Sequence, residues 1–339
     1  MVRGRVIGIK DVAREAGVSI TTVSHALSGK GRLPEETRAR VQQVAAALGY
    51  TPNAAARSLA GGKTGLLATY VSLPGDAPLA FLEIDYYVDL IDAAVAAAVE
   101  RGYAFVVAPT TAGEETWARL PLDGVIVIDP ADGDPSLAAV RERGVSLVLI
   151  GRDLHGHPDD VVVENDREAG TRLLLEHLVE RGGRRVAIAS LGAYESFTED
   201  AVTAYRAWCR ERGQEPFVLT AEGGSGTDHA AFRAAAEGFL RSSERPDAVF
   251  CLYERLGVEL LGAARELGVG VPGELLVATI AEVGLAEGTD PPLTTLEINQ
   301  AELGATAADL LMDLVEGLPV SSVRDVPTRL VPRASTAGG

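Results

Sequence analysis

The sequence predicts a small all-α head, a short linker and a larger α/β core made of two subdomains with parallel sheets. Three observations predict it. The chain has 339 residues, more than one ordinary domain holds. Apolar residues recur at helical spacing through residues 9–48, whereas from Lys63 onward short apolar runs alternate with helical ones. The charge is also divided: residues 1–63 carry ten Lys/Arg and four Asp/Glu, a net of +6, and the rest carry 21 and 44, a net of −23.

In the head, Ile9, Val12, Ala13 and Ala16 share one helical face, and Gly17 can stop that helix. Ser19 can cap a second helix running from Ile20 to about Leu27, with Val23, Ala26 and Leu27 inward. Ser28-Gly29-Lys30-Gly31 reads as a turn. Pro34 suits the start of a third helix, where Glu35 and Glu36 meet the positive end of the helix dipole, and Val41, Val44, Ala45 and Leu48 repeat along it. The linker TPNAAARSLAGG can form about two helical turns, too few for an isolated helix to be stable in water.

Strands are expected at Leu66–Val71, Tyr103–Ala108, Gly124–Ile128, Ser146–Ile150, Val161–Val163, Arg185–Ala189, Ala248–Leu252, Leu275–Thr279 and Thr294–Ile298. Helices between them include Tyr86–Arg101, Glu168–Arg181, Ala201–Arg212, His229–Arg241 and Glu254–Leu267. Apolar strands separated by helices imply parallel sheets covered on both faces. The strand count exceeds one sheet, so two subdomains with a cleft between them are expected, and ligands of such sheets bind beyond the carboxyl ends of the strands. No apolar run reaches the ~18 residues of a membrane span, and the basic start is not followed by the core of a secretory signal. Cys209 and Cys251 lie in apolar surroundings without metal-type spacing and read as reduced core thiols, so a cytoplasmic protein is expected.

A basic head on an acidic body suits contact with a polyanion. Two helices joined by a tight turn, the second carrying short polar side chains, match a helix-turn-helix. The residues say more. DVAREAGVSITTVS, and the run from Glu36 to Leu59 containing ETRARV, LGYTPN and AAARSL, closely resemble the N-terminal domain of the lactose/galactose repressor (LacI/GalR) family. The resemblance is continuous from Ile9 to Leu59. It implies a helix-turn-helix domain over residues 1–51, a hinge helix over 52–63 and an effector-binding and dimerisation core over 64–339. It further implies a sequence-specific regulator, expected to be a repressor, bound to double-stranded operator DNA as a homodimer. No heptad repeat follows Arg333, which favours a dimer over a tetramer.

By that resemblance Ile20, Thr21 and His25 would read base edges in the major groove. Thr22, Ser24, Thr37, Tyr50 and Asn53 would meet phosphates or support the fold, with Arg57 in the same DNA-binding set and Ser19 as a cap beside the DNA. Leu59 would be wedged into the minor groove from the hinge, with Ala56 allowing close approach. Val23 and Leu27 read as core.

The rest of the chain resembles the family's regulatory core, which is similar to periplasmic sugar-binding proteins, though more loosely than the head does. The stretches that carry it are VVVENDREAGTRLLLEHLVERGGRRVAIASLG, PDAVFCLYERLGVELLGAARELGVGVPGELLVATI, PPLTT and PTRLVPRAST. It implies a cleft for a small-molecule effector, with Tyr86, Tyr87, Arg152, Tyr253 and Glu282 as candidate lining residues. The two tyrosines at 86 and 87 fit core packing equally well. Three polar positions of sugar-binding members are replaced: Ala201 stands for an arginine, Tyr253-Glu254 for Asn-Asp, and Thr279-Ile280-Ala281-Glu282 for Gly-aromatic-Asp-Asp. The cleft is therefore expected to take something less sugar-like than usual, or nothing.

Other chemistry is weak. His155, His157, Asp159 and Asp160 have a metal-like look but lie in a Gly/Pro turn. Gly223-Gly224-Ser225-Gly226 lacks the Lys-Ser/Thr of a phosphate loop. No nucleophile–base pair stands out, so no catalytic residue, metal or cofactor is expected. A solute-binding protein without regulatory output is the competing reading, and an enzyme using the cleft the third.

Overall fold

The computed structural model describes residues 7–28, 33–50, 63–73, 75, 77–192, 195–220, 229–281 and 284–337. The chain separates into two compact units, Met1–Gly65 and Leu66–Gly339. In the first, helices α1 (Ile9–Ala16), α2 (Ile20–Ser28) and α3 (Glu35–Ala47) close on Val12, Ala13, Ala16, Val23, Ala26, Val41 and Ala45. Gly17 ends α1 at φ 64°, a left-handed turn that glycine enters at little cost, and its N–H returns to the carbonyls of Ala13 and Arg14.

The second unit holds two six-stranded sheets. The first contains β1 (Leu66–Val71), β2 (Ala104–Val107), β3 (Gly124–Ile128), β4 (Ser146–Ile150), β5 (Val161–Glu164) and β11 (Val323–Asp325), in the order β11-β5-β4-β3-β1-β2. The second contains β6 (Val186–Ala189), β7 (Val218–Leu219), β8 (Ala248–Cys251), β9 (Leu276–Ile280), β10 (Thr294–Glu297) and β12 (Arg329–Val331), in the order β12-β10-β9-β8-β6-β7. Every pairing is parallel except β10 with β12. The inner strands are largely apolar on both faces because both faces are covered. In β3, Ile126 and Ile128 enter one core and Val125 and Val127 the other. In β8, Val249 and Cys251 enter one and Ala248 and Phe250 the other.

The chain passes between the two sheets three times: after β5, after β10 and after β11. The Asn165 carboxamide, 3% exposed, joins all three crossings. It sits in the first and donates to the carbonyls of Ile298 in the second (3.0 Å) and Val326 in the third (2.8 Å). After the second crossing, helix Gln300–Glu316 returns to the first sheet and packs Leu303, Ala307 and Leu311 into the core that helix Asp85–Glu100 also fills.

The structure extends the sequence reading at several points. The helix expected from Ala201 begins at Ser196, which places Phe197 and Asp200 on it. Helices Glu114–Arg119 and Pro135–Glu142, and strands β7, β11 and β12, are additions. Within the linker 52–63, only Lys63 falls among the described residues.

Gly304 sits where helices Gln300–Glu316 and Asp85–Glu100 touch, and a Cβ there would overlap the Leu90 carbonyl. Backbone cannot rotate out of the way as a side chain can. Gly304→Ala is therefore expected to destabilise the second unit by about 1–3 kcal/mol, measured by urea denaturation. Unchanged stability would mean the helices approach less closely.

Candidate functional site

The head exposes a compact patch on α2. Val23 and Ala26 are buried, which turns Thr21, Ser24 and His25 outward. Ile20 lies on the same exposed side, 44% accessible although apolar. The helix start is fixed locally: Ser19 Oγ accepts from the Thr22 backbone N–H at 3.1 Å and lies 2.8 Å from Thr22 Oγ1. Ser19 thus caps the helix, and the partly buried Thr22 supports the cap. Thr37 is partly buried near the start of α3, and Tyr50 packs against the head core. Asn53, Arg57 and Leu59 lie outside the described residues.

The second unit has a cleft between its two sheets, enclosing a cavity of about 220 Å3. Both sheets reverse strand order at one point, between β1 and β3 and between β6 and β8. Parallel strands leave a crevice past their carboxyl ends at such a reversal. The lining follows from this: Leu73 and Asp129 come from beyond β1 and β3, and Leu191 and Tyr253 from beyond β6 and β8. Tyr86 and Tyr87 line the cavity from the first turn of helix Asp85–Glu100, their rings edge to face at 4.9 Å. Tyr253 lines the opposite wall, 5.6 Å from the Phe197 ring. Arg152 is held elsewhere, in a bidentate ion pair with Asp200 that spans the two subdomains, and it is absent from the cavity wall. Glu282 lies outside the described residues.

Three polar residues in or beside the cleft carried no signal in the sequence. Asp129 follows β3 with φ 48°, Glu195 precedes helix Ser196–Glu211, and Arg167 opens helix Arg167–Glu180. Glu195 is 4% exposed. Its Oε1 accepts from the Thr198 hydroxyl at 2.5 Å and the Tyr253 hydroxyl at 2.7 Å. A single β-bridge between Ala131 and Glu195 joins the subdomains here. Burial, and then the charge of Glu195, push the Asp129 carboxyl up to about 7, against the pull of the Tyr87 hydroxyl and the Arg167 guanidinium. Arg167 lies 4.0 Å over the Phe197 ring. Glu254 accepts from the Ala286 N–H at 2.7 Å, and burial raises its carboxyl as well.

The positions replaced relative to sugar-binding members are apolar or tied up. Ala201 is 0% exposed in the core behind the cleft, and Ile280 and Ala281 present hydrocarbon to the cavity. Among the described residues, no group of three or more His, Cys, Asp or Glu is arranged to hold a metal. Asp160 is instead taken by Arg141 at 2.7 Å. The loop 223–226 lies outside the described residues. No described helix is long and apolar enough to cross a membrane.

Residues 8–53 match the family model of bacterial regulatory proteins of the lacI family, and residues 175–336 match a periplasmic binding protein-like domain. The chain belongs to the lacI family. As such it is a helix-turn-helix transcriptional regulator with a two-subdomain α/β core. Curated relatives include the HTH-type transcriptional repressor PurR of Pectobacterium atrosepticum, 29% identical and covering 98% of this chain and 97% of that protein. The repressor of the same name from Vibrio atlanticus is 27% identical, covering 91% of this chain and 92% of that protein. Among solved structures, a complex of the transcriptional regulator CelR with cellobiose is 27% identical with a TM-score of 0.72, covering 97% of this chain and 99% of that chain. A lac repressor dimer bound to operator and the anti-inducer ONPF has a TM-score of 0.79 at 23% identity, covering 98% of this chain and 99% of that chain, a likeness of fold.

The raised carboxyl of Asp129 gives this lacI-family core a signature in pH. An acid held at about 7 in the folded state, against 3.8 ordinarily, keeps its proton in the fold after the unfolded chain has lost it. Stability from this group therefore falls as pH rises from about 4 to about 7 and is flat above. Asp129→Asn is expected to remove that decline relative to wild type in urea denaturation across the range. Parallel curves for the two proteins would place Asp129 in a solvated setting.

Proposed function

We propose that the protein is a ligand-responsive repressor that binds a near-palindromic operator as a homodimer in the cytoplasm. The observation that carries the reading is the α2 patch of Ile20, Thr21, Ser24 and His25, held outward by buried Val23 and Ala26. Short side chains on a rigid helix can approach base edges in a major groove. The Ile20 side chain suits a thymine methyl, Thr21 can donate, accept or offer its methyl, and His25 can donate to guanine N7 or O6. Ser19, Thr22, Ser24, Thr37, Tyr50, Asn53 and Arg57 set the register on phosphates or support the helices that do. Leu59 acts as a minor-groove wedge in a hinge that orders on DNA. The net +6 of residues 1–63 supports affinity for the polyanion, and the net −23 of the rest disfavours contact elsewhere.

The cleft takes the effector. Tyr86, Tyr87 and Tyr253 meet it from the two subdomains, so its occupancy biases their relative angle, and the ordering of the hinge follows. Only a ligand with different affinities for the two angles changes DNA binding.

Two measurements test the reading. Selection of bound sequences from a random pool is expected to yield one near-palindrome, with affinity falling steeply with salt. His25→Ala is expected to cost about 1–3 kcal/mol on the selected site and to relax preference at one symmetric pair of positions. Equal binding to all sequences would overturn the proposal. Leu59→Ala is expected to weaken operator binding, and unchanged affinity would remove the wedge from the mechanism.

A further inference from the structure

The cleft has an unusual polarity for a pocket lined with hydrocarbon. Leu73, Ile84, Leu191, Leu252, Ile280 and Leu285 make up much of its apolar wall. Six carboxylates, Glu83, Asp85, Asp89, Asp129, Glu195 and Glu254, line it against one guanidinium, Arg255, among the described residues. The nearby Arg167 belongs to a smaller pocket alongside, where it faces Glu164 and Asp200 as well as Asp129 and covers the Phe197 ring.

The hydrogen-bond directions sharpen the point. The hydroxyls of Thr198 and Tyr253 both lie on Glu195 Oε1. The Tyr87 hydroxyl is directed to Asp129, and the Gln300 carboxamide donates to Asp89 at 3.0 Å. These donors are directed at the carboxylates of the wall. Around Asp129 and Glu195 the cavity therefore offers a guest mainly acceptors once Asp129 has given up its proton. A sugar needs donors as well as acceptors for each hydroxyl, and an anion meets like charge in a poorly solvated place. A protonated amine supplies what this wall lacks: several N–H donors and a positive charge between Asp129 and Glu195.

We propose that the effector of this cleft is a compact organic cation, a protonated amine on an apolar or single-ring aromatic frame. The nitrogen sits between the carboxylates of Asp129 and Glu195, one from each subdomain, and the frame packs among Tyr86, Leu191, Leu252 and Tyr253. The cavity of about 220 Å3 limits the guest to a small molecule. The geometry also carries a proton linkage. Asp129 is faced by Glu195, Tyr86, Tyr87 and Arg167, and burial beside Glu195 holds its proton up to about 7. A cation arriving there displaces that proton, so binding below neutral pH releases it. The proposal rests on the cleft being the effector site.

The test is isothermal titration of the full chain without DNA, using benzylamine, 2-phenylethylamine and tyramine. Benzyl alcohol, 2-phenylethanol and phenylacetate serve as neutral and anionic counterparts, and glucose and hypoxanthine are titrated in parallel. At least one amine is expected to bind about tenfold or more tightly than its neutral counterpart, with phenylacetate not binding. Titrations at about pH 6 in buffers of different ionisation heat are expected to report proton release that vanishes at about pH 8.5. Asp129→Asn keeps a residue type that tolerates positive φ, and Glu195→Gln keeps the side-chain shape. Each is expected to lower amine affinity about tenfold while neutral ligands change by less than about twofold. Equal affinity for neutral and cationic members, or no amine binding up to about 10 mM, overturns the proposal. If glucose or hypoxanthine binds instead, the cleft remains an effector site and only the ligand class is wrong.

Discussion

The core depends on one carboxamide. Three strands of chain cross between the two sheets, and Asn165 in the first crossing donates to a backbone carbonyl of each of the other two. A hydrogen bond between backbone segments would fix two crossings in register with each other, but a side-chain amide with two N–H groups can tie a third. The carbonyls it serves are buried, and leaving them unpaired would cost more than the bonds themselves contribute. All three crossings are thereby tied together at one point between the subdomains. Asn165 and Tyr86 line the same small pocket beside the cleft, so the crossings lie next to the cavity.

The second constraint is the pair of strand-order reversals facing each other. A reversal leaves no helix over the strand ends, and two of them together leave a cavity with walls from both sheets. What the cavity contains is then a matter of the loops. Here Asp129 and Glu195 are brought close by the bridge between Ala131 and Glu195, and the ion pair of Arg152 with Asp200 fastens the same side. Two carboxylates near each other in a poorly solvated place are unfavourable alone. A guest of complementary charge gains affinity where it relieves that electrostatic cost.

Much of the fold was legible because it rests on periodicity. Strands β1, β3 and β4 carry mainly apolar runs, and their bounds agree with the sequence reading. The edge strands escaped it: β11 is three exposed residues, Val-Arg-Asp, recruited by pairing with β5 rather than by its own apolar content. The helix expected over Ala201–Arg212 starts five residues earlier, at Ser196, where Ser196 and Thr198 are buried despite being polar. The same shift hid the site. Phe197 and Asp200 sit in the turn that was missed, and Glu195 just before it. Tyr86, Tyr87 and Tyr253 are reachable from the sequence because the resemblance assigns their positions to the cleft, whereas a single Asp after a strand carries no such mark. Arg152, a cleft candidate by the resemblance, spends its charge on Asp200, a partner that only the fold brings to it.

The head and the core solve opposite problems with similar residues. On α2 the buried side chains are small, Val23 and Ala26, so the helix is anchored with little material and its outer face is left to Ile20, Thr21, Ser24 and His25. An apolar Ile20 at 44% exposure costs the isolated head solvation that a base methyl would recover. In the cleft the polar groups are the costly ones, and the apolar wall makes them so. Each unit therefore holds an unfavourable exposure or burial at the surface assigned to its ligand. For Asp129 that cost is also titratable, so ligand strength and pH enter the core through the same atom, and a cation that relieves the cost in one subdomain angle more than another shifts the equilibrium between them.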